Sequence, residues 1–182
     1  TRSHLMHASF QNKEAIERLA KLKLPADVQA AWLYLDAPAL EQVFGREGMR
    51  YFFPLKTYRD HGIILAGGSD HMIGFDKNTA VNPYNPFLAM WTAVTRKMSN
   101  GAVLFAEEAI GREDALRMYT TWAAWLQFDE KTRGSIEAGK LADLVVIDRD
   151  YLRCPPDEIR HIEPLATMID GSFVWRKEGF QF

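Results

Sequence analysis

Between its first residue and Gly134 the sequence has room for about three strand–helix units. Residues 28–35 and 63–66 are apolar runs suited to buried strands, and helical patterns alternate with them. Asn12 is placed to cap a helix carrying Ile16, Leu19 and Ala20, with Pro25 ending it. Asp36 is placed to cap a short helix over 39–44. Residues 49–59 predict a helix broken at Pro54 and stopped by Gly62. Asn85 and Pro86 form an N-cap and first-turn pair ahead of Phe87, Trp91, Val94 and Met98 on one face. A further helix is expected over 112–126. Alternation of this kind favours a parallel α/β arrangement, which usually closes as a barrel of eight units and roughly 250 residues. Three units leave open edges with unpaired backbone groups. The chain is therefore expected to form a small open sheet or to be a piece of something larger.

The character of the sequence changes at Gly134. Short strands are expected at 134–136, 144–147, 166–169 and 173–176, and Asp170-Gly171 is a strong hairpin signal. The organisation read from this is a strand–helix region over 1–133 followed by a small β unit over 134–182.

Composition narrows the partners. Lys plus Arg is 22 and Asp plus Glu is 24, so the formal charge is only -2. No strong field of either sign follows, and nucleic acid is not expected as a partner. No apolar run approaches the ~18 residues of a membrane span, and no membrane association is expected. The single cysteine, Cys154, makes neither an internal disulfide nor a Cys-based zinc site alone. No signal peptide is readable at the start, so a cytoplasmic location is expected.

The residues that can carry chemistry are few. Asp70 follows the run 63–66 after Gly67, Gly68 and Ser69. Carboxyl ends of parallel strands face the active site, where a carboxylate can bind a divalent metal or take a proton from water. The competing role for Asp70 is to cap the turn that follows. His7 forms a His4-x-x-His7 pair, yet positions three apart on a strand point to opposite faces. His71 is placed to contact substrate or to serve as a plain loop histidine. His61 and His161 read as structural, Lys140 and Asp143 as turn and cap residues, and the five tryptophans as core or interface residues. Gly67-Gly68 is too short for a phosphate loop, and Ser69 lacks a nucleophile-elbow pattern.

The stretch from Gly134 to Asp148, GSIEAGKLADLVVID, resembles the C-terminal signature of the amidohydrolase superfamily. Upstream, residues 62–70 (GIILAGGSD) resemble that family's eighth barrel strand with its catalytic aspartate. Ala93-Val94-Thr95-Arg96 and residues 115–120 look like the helices that follow in the branch containing N-substituted formamide deformylases. His7-Ala8, ahead of a helix and then Asp27-Val28-Gln29, looks like the sixth strand and its metal-binding histidine.

The resemblance implies the C-terminal part of a (β/α)8 barrel, about strands six to eight, with part of a small β-sandwich. It implies a divalent metal, often zinc, that activates water to hydrolyse amide-like C–N bonds in a small molecule. Asp70 is then a metal ligand and proton carrier, His7 a metal ligand, and His71 a substrate contact. The family's His-x-His pair, its bridging lysine or carboxylate and a further histidine on its fifth strand have no counterpart in these residues. Catalytic zinc usually takes three protein ligands. The chain is thus expected to be a C-terminal fragment of a hydrolase, inactive and poor in zinc by itself. It is expected to associate with another copy or with the missing N-terminal part. The alternative is a non-catalytic binding or assembly module derived from a truncated barrel. An aspartate-only hydrolase using Asp70 and Asp76 ranks below both.

Overall fold

The structure, a computed structural model, describes residues 1–181. Its parallel layer is three positions wide. Leu5 makes a single parallel bridge to Ala26. Strand β1 (Ala26–Val28) pairs in parallel with β2 (Leu65–Gly67), in the register Ala26↔Leu65, Asp27↔Ala66 and Val28↔Gly67. Helix α1 (Lys13–Leu22) connects Leu5 to β1, and helices α2 (Ala31–Gly48) and α3 (Leu55–Asp60) connect β1 to β2. The chain is mixed α/β, and its core runs from these strands and helices through buried residues over 88–118 to Tyr151, Ile159 and Ile162.

Local chemistry explains most boundaries. Asn12 Oδ1 accepts from the Ala15 N–H at 2.8 Å and caps α1. The helix stops before Pro25: Lys23 takes the left-handed conformation, φ 53°, and returns its N–H to the carbonyl of Ala20. Gly62, at φ +73°, ends the turn after α3, where the Ile63 N–H reaches back to Tyr58 O at 3.0 Å. Asn85 caps α4 (Pro86–Thr95), accepting from the Phe87 N–H at 3.0 Å, with Pro86 at the first position.

Several expectations fail for physical reasons. Residues 28–35 are not a strand: β1 ends at Val28, and α2 begins at Ala31 and absorbs Asp36. A run buried on all sides looks the same in either conformation, so periodicity alone cannot separate them. Pro38 sits inside α2 and removes the N–H that would bond Tyr34 O; that carbonyl accepts from the Ser99 N–H at 2.8 Å instead. Residues 49–54 form turns rather than helix, and Met98 lies beyond α4, which Arg96 ends at φ 58°. The expected helix over 112–126 is two, α5 (Arg112–Met118) and α6 (Thr121–Leu126), separated at Tyr119 and Thr120. Thr120 Oγ1 donates to Leu116 O at 2.8 Å across the break.

The tail is an antiparallel sheet in the order β3 (Leu144–Ile147), β4 (Pro164–Ile169), β5 (Ser172–Arg176). Asp170 and Gly171 turn the β4–β5 hairpin, both at positive φ, as the sequence predicts. Residues 134–136 are not a strand. Gly134 sits at φ +93° against α6, where an added Cβ would lie 2.6 Å from Ala124 Cβ. The tail is tied to the helical part through Asp157, which accepts from Trp91 Nε1 at 3.2 Å and from Lys97 Nζ at 2.7 Å.

Candidate functional site

Parallel pairing places the ends of Leu5, β1 and β2 side by side, and His7, Gln29 and Asp70 lie just past those ends. His7 leaves the extended conformation, at φ 62°, so the strand rule that would separate it from His4 does not hold there. Its Nδ1 lies 3.2 Å from Gln29 Oε1, and its ring stacks on Trp32 with centroids 5.4 Å apart and planes 25° apart. Gln29 is buried, and its amide nitrogen donates to the Asp27 carboxylate. Asp27 is the charged residue in the middle of β1. Burial pushes its carboxyl above the usual range, the Gln29 hydrogen bond and the charges of His4 and His7 pull it down, and the charge of Asp70 pushes it up. That set of influences gathers His4, His7, Asp27 and Asp70 into one electrostatic neighbourhood.

Asp70 is exposed and takes the left-handed conformation, φ 49°. The His71 N–H goes to Ser69 Oγ at 3.3 Å rather than to the Asp70 carboxylate. That carboxylate lies 3.4 Å from Asn82 Nδ2, and the same Asn82 amide holds the Asp70 carbonyl. Trp32 Nε1 donates to Ser69 O at 3.3 Å. One tryptophan therefore touches both the His7 ring and the backbone that leads into Asp70. His71 lies further out, its Nδ1 3.2 Å from Asn82 O and its ring 4.3 Å from that of Tyr84. Beneath the strand end, the Tyr119 ring packs so close to Gly67 that an added Cβ would lie 2.7 Å from it. The Tyr119 hydroxyl is buried without a hydrogen-bond partner among the described residues.

The donors partly suit a metal. Among the described residues, the Asp70 carboxylate meets the Asn82 amide, and the His7 ring is engaged at Nδ1 by Gln29. No group of three or more His, Cys, Asp or Glu side chains among the described residues is arranged to hold a metal ion. Also among the described residues, no helix is long and apolar enough to cross a membrane.

Sequence reasoning singled out His7, Asp70 and His71 but missed Gln29, Trp32 and Asn82 as members of this neighbourhood. The one signal available was Asp27, a lone carboxylate between apolar strand residues.

The chain is similar in sequence and fold to known proteins. YtcJ of Bacillus subtilis (strain 168) is 32% identical over 176 residues, covering 95% of this chain and 32% of YtcJ. The N-substituted formamide deformylase of Arthrobacter pascens is 39% identical over 127 residues, covering 70% of this chain and 22% of the deformylase. The chain thus spans about a third or less of the length of these curated relatives. An uncharacterized metal-dependent hydrolase from Pyrococcus horikoshii OT3 shares the fold, with a TM-score of 0.70 at 23% identity over 86% of this chain and 30% of that one. The model of the amidohydrolase family designated Amidohydro_3 matches residues 1–175, and the chain belongs to that family.

Proposed function

We propose that this chain carries part of the site of a metal-dependent hydrolase that cleaves non-peptide, amide-like C–N bonds in a small molecule. The observation that carries the reading is that His7 and Asp70 lie just past the carboxyl ends of adjacent parallel segments, with Trp32 touching both the His7 ring and the backbone before Asp70. Leu5, β1 and β2 are read as the sixth to eighth strands of a (β/α)8 barrel, and β3–β5 as part of its small β-sandwich. The deformylase relative supports the bond class.

In this reading His7 would offer a ring nitrogen and Asp70 a carboxylate oxygen to a divalent cation, zinc by preference. Such a cation lowers the pKa of a bound water toward about 7. Asp70, exposed at the strand end, would accept a proton from water activated there and pass it to the leaving nitrogen. Its left-handed backbone and the Asn82 contacts fix where that carboxylate points. His71, on the same loop, would contact incoming substrate in this reading.

Two donors do not hold zinc tightly, and the described residues offer no third. The chain by itself is therefore expected to purify with far less than stoichiometric zinc and to leave N-substituted formamides intact. Elemental analysis together with an amine-release assay checks this. One tightly held zinc per chain would overturn the partial-site reading.

A second expectation concerns partners. The loop that follows Asp70 exposes Met72, Ile73, Phe75 and Val81, with Phe75 fully exposed. Apolar surface of this kind beside a site is normally covered. We propose that a second copy or the remainder of the barrel covers it. Sedimentation velocity of the chain should show concentration-dependent association, which Phe75→Ser weakens. A single monomeric species at all concentrations would refute coverage by a second copy.

A further inference from the structure

We propose that Asp27 and Gln29 are positioning residues that fix the tautomer of His7, keeping its Nδ1 protonated and leaving the Nε2 lone pair free for a cation. The cation part of this rests on the reading of His7 as a metal ligand; the tautomer part does not.

Asp27, Gln29 and His7 form a chain of donors and acceptors with one permitted direction. An ionised carboxylate only accepts hydrogen bonds. The Gln29 group facing Asp27 is therefore the NH2, which donates to Asp27 Oδ1. That leaves Gln29 Oε1 facing His7 Nδ1 at 3.2 Å. An amide oxygen also only accepts, so His7 Nδ1 must carry a hydrogen. A neutral imidazole has one ring proton, and Nε2 is left as a lone pair. The reverse flip of Gln29 would set its oxygen against the carboxylate. Gln29 is 3% exposed, so water does not rescue a mismatched amide.

The surroundings hold the relay in place. Asp27 is locked in β1 by its register with Ala66. The backbone of Gly68 lies over the relay, where an added Cβ would sit 3.5 Å from Gln29 Nε2 and 3.6 Å from Asp27 Oδ1. Trp32 stacks on the His7 ring and sets its plane. Hydrogen bonds to the far nitrogen of a ligating imidazole fix its orientation, and losing them typically weakens metal binding 10- to 100-fold.

The test is long-range proton–nitrogen correlation NMR on the isotope-labelled chain, at a pH where imidazole is neutral. His7 should show the Nδ1–H form, whereas an unconstrained histidine favours Nε2–H. Gln29→Leu should move His7 toward Nε2–H. Asp27→Ala should do the same, while Asp27→Asn, which keeps an acceptor for the Gln29 amide, should preserve Nδ1–H. In a zinc titration followed at His7, Gln29→Leu should raise the apparent Kd about 10- to 100-fold. A wild-type His7 in the Nε2–H form overturns the proposal and requires no variant to fold. So does an unchanged tautomer in Gln29→Leu. If the tautomer results hold and zinc leaves the His7 resonances unmoved, the relay stands and the metal reading is the one that fails.

Discussion

Replacing Arg96 with Ala should unfold the chain or lower its unfolding free energy by about 4 kcal/mol or more. Arg96 is fully buried immediately after α4, where it ends the helix. Its Nε donates to Leu104 O at 3.0 Å, Nη1 to Phe53 O at 2.8 Å and Nη2 to Phe52 O at 3.0 Å. A planar guanidinium spans these carbonyls at once; a lysine ammonium cannot. Phe52, Phe53 and Leu104 are themselves buried, so truncation strips partners from carbonyls that water does not reach. Each such loss costs about 1–3 kcal/mol, and the cavity left by the side chain adds to it. Burial pushes the guanidinium down to about 10 while the charges of Glu108 and Glu107 push it up, so it remains cationic at neutral pH. Arg96→Lys should fall between wild type and Arg96→Ala. Urea unfolding followed by circular dichroism reads the effect. An Arg96→Ala chain within about 1 kcal/mol of wild type would show that the guanidinium is not what joins α4 to the turn before α3.

Arg96 also marks where sequence reading reaches its limit. The stretch Ala93-Val94-Thr95-Arg96 resembles a helix of the amidohydrolase family, yet nothing local says that its arginine is buried or which carbonyls it meets. Those partners lie at sequence separations of 43 and 44 residues for Phe53 and Phe52. Local chemistry was legible because its cause lies within a few residues: Asn12 and Asn85 as caps, Gly62 as a stop, Asp170-Gly171 as a hairpin. The apolar run over 28–35 was misread because burial on all sides erases the difference between strand and helix. That misreading hid Gln29, which occupies the corner between β1 and α2 and meets His7 from 22 residues away. Asp70 was visible because a carboxylate after a short apolar run and two glycines is a local pattern. Asn82 was not, because the loop's return to Asp70 has no periodic trace.

Removing the carboxylate of Glu108 should destabilise the chain by about 2–4 kcal/mol, because the Thr57 N–H and hydroxyl lose their acceptor at about 1–3 kcal/mol each, while Arg50, 35% exposed, can turn to water. Glu108 is 2% exposed. Its Oε1 accepts from Arg50 Nη1 at 3.0 Å and from Thr57 Oγ1 at 2.6 Å, and its Oε2 accepts from the Thr57 N–H at 2.9 Å. Thr57 lies in the first turn of α3, and the residue at that helix's N-cap is Pro54, whose side chain makes no capping bond. Glu108 thus supplies from a distant segment the acceptor that a local Ser or Asp would supply elsewhere. Its negative charge also suits the positive end of the helix. Helix α3 runs through Gly62 directly into β2 and so to Asp70. Loosening α3 should therefore be felt at the site. Glu108→Ala should lower the urea midpoint and speed amide exchange at Thr57 and across 63–68. Glu108→Gln should lose less, since it keeps one acceptor but turns a donor toward Arg50 or Thr57. Combining Glu108→Ala with Arg50→Ala should cost less than the sum of the two, because the pair shares one interaction. Full additivity, or unchanged exchange at Thr57, would mean that α3 is held by packing of Leu55 and Tyr58 alone and that the carboxylate plays no part in placing the strand before Asp70.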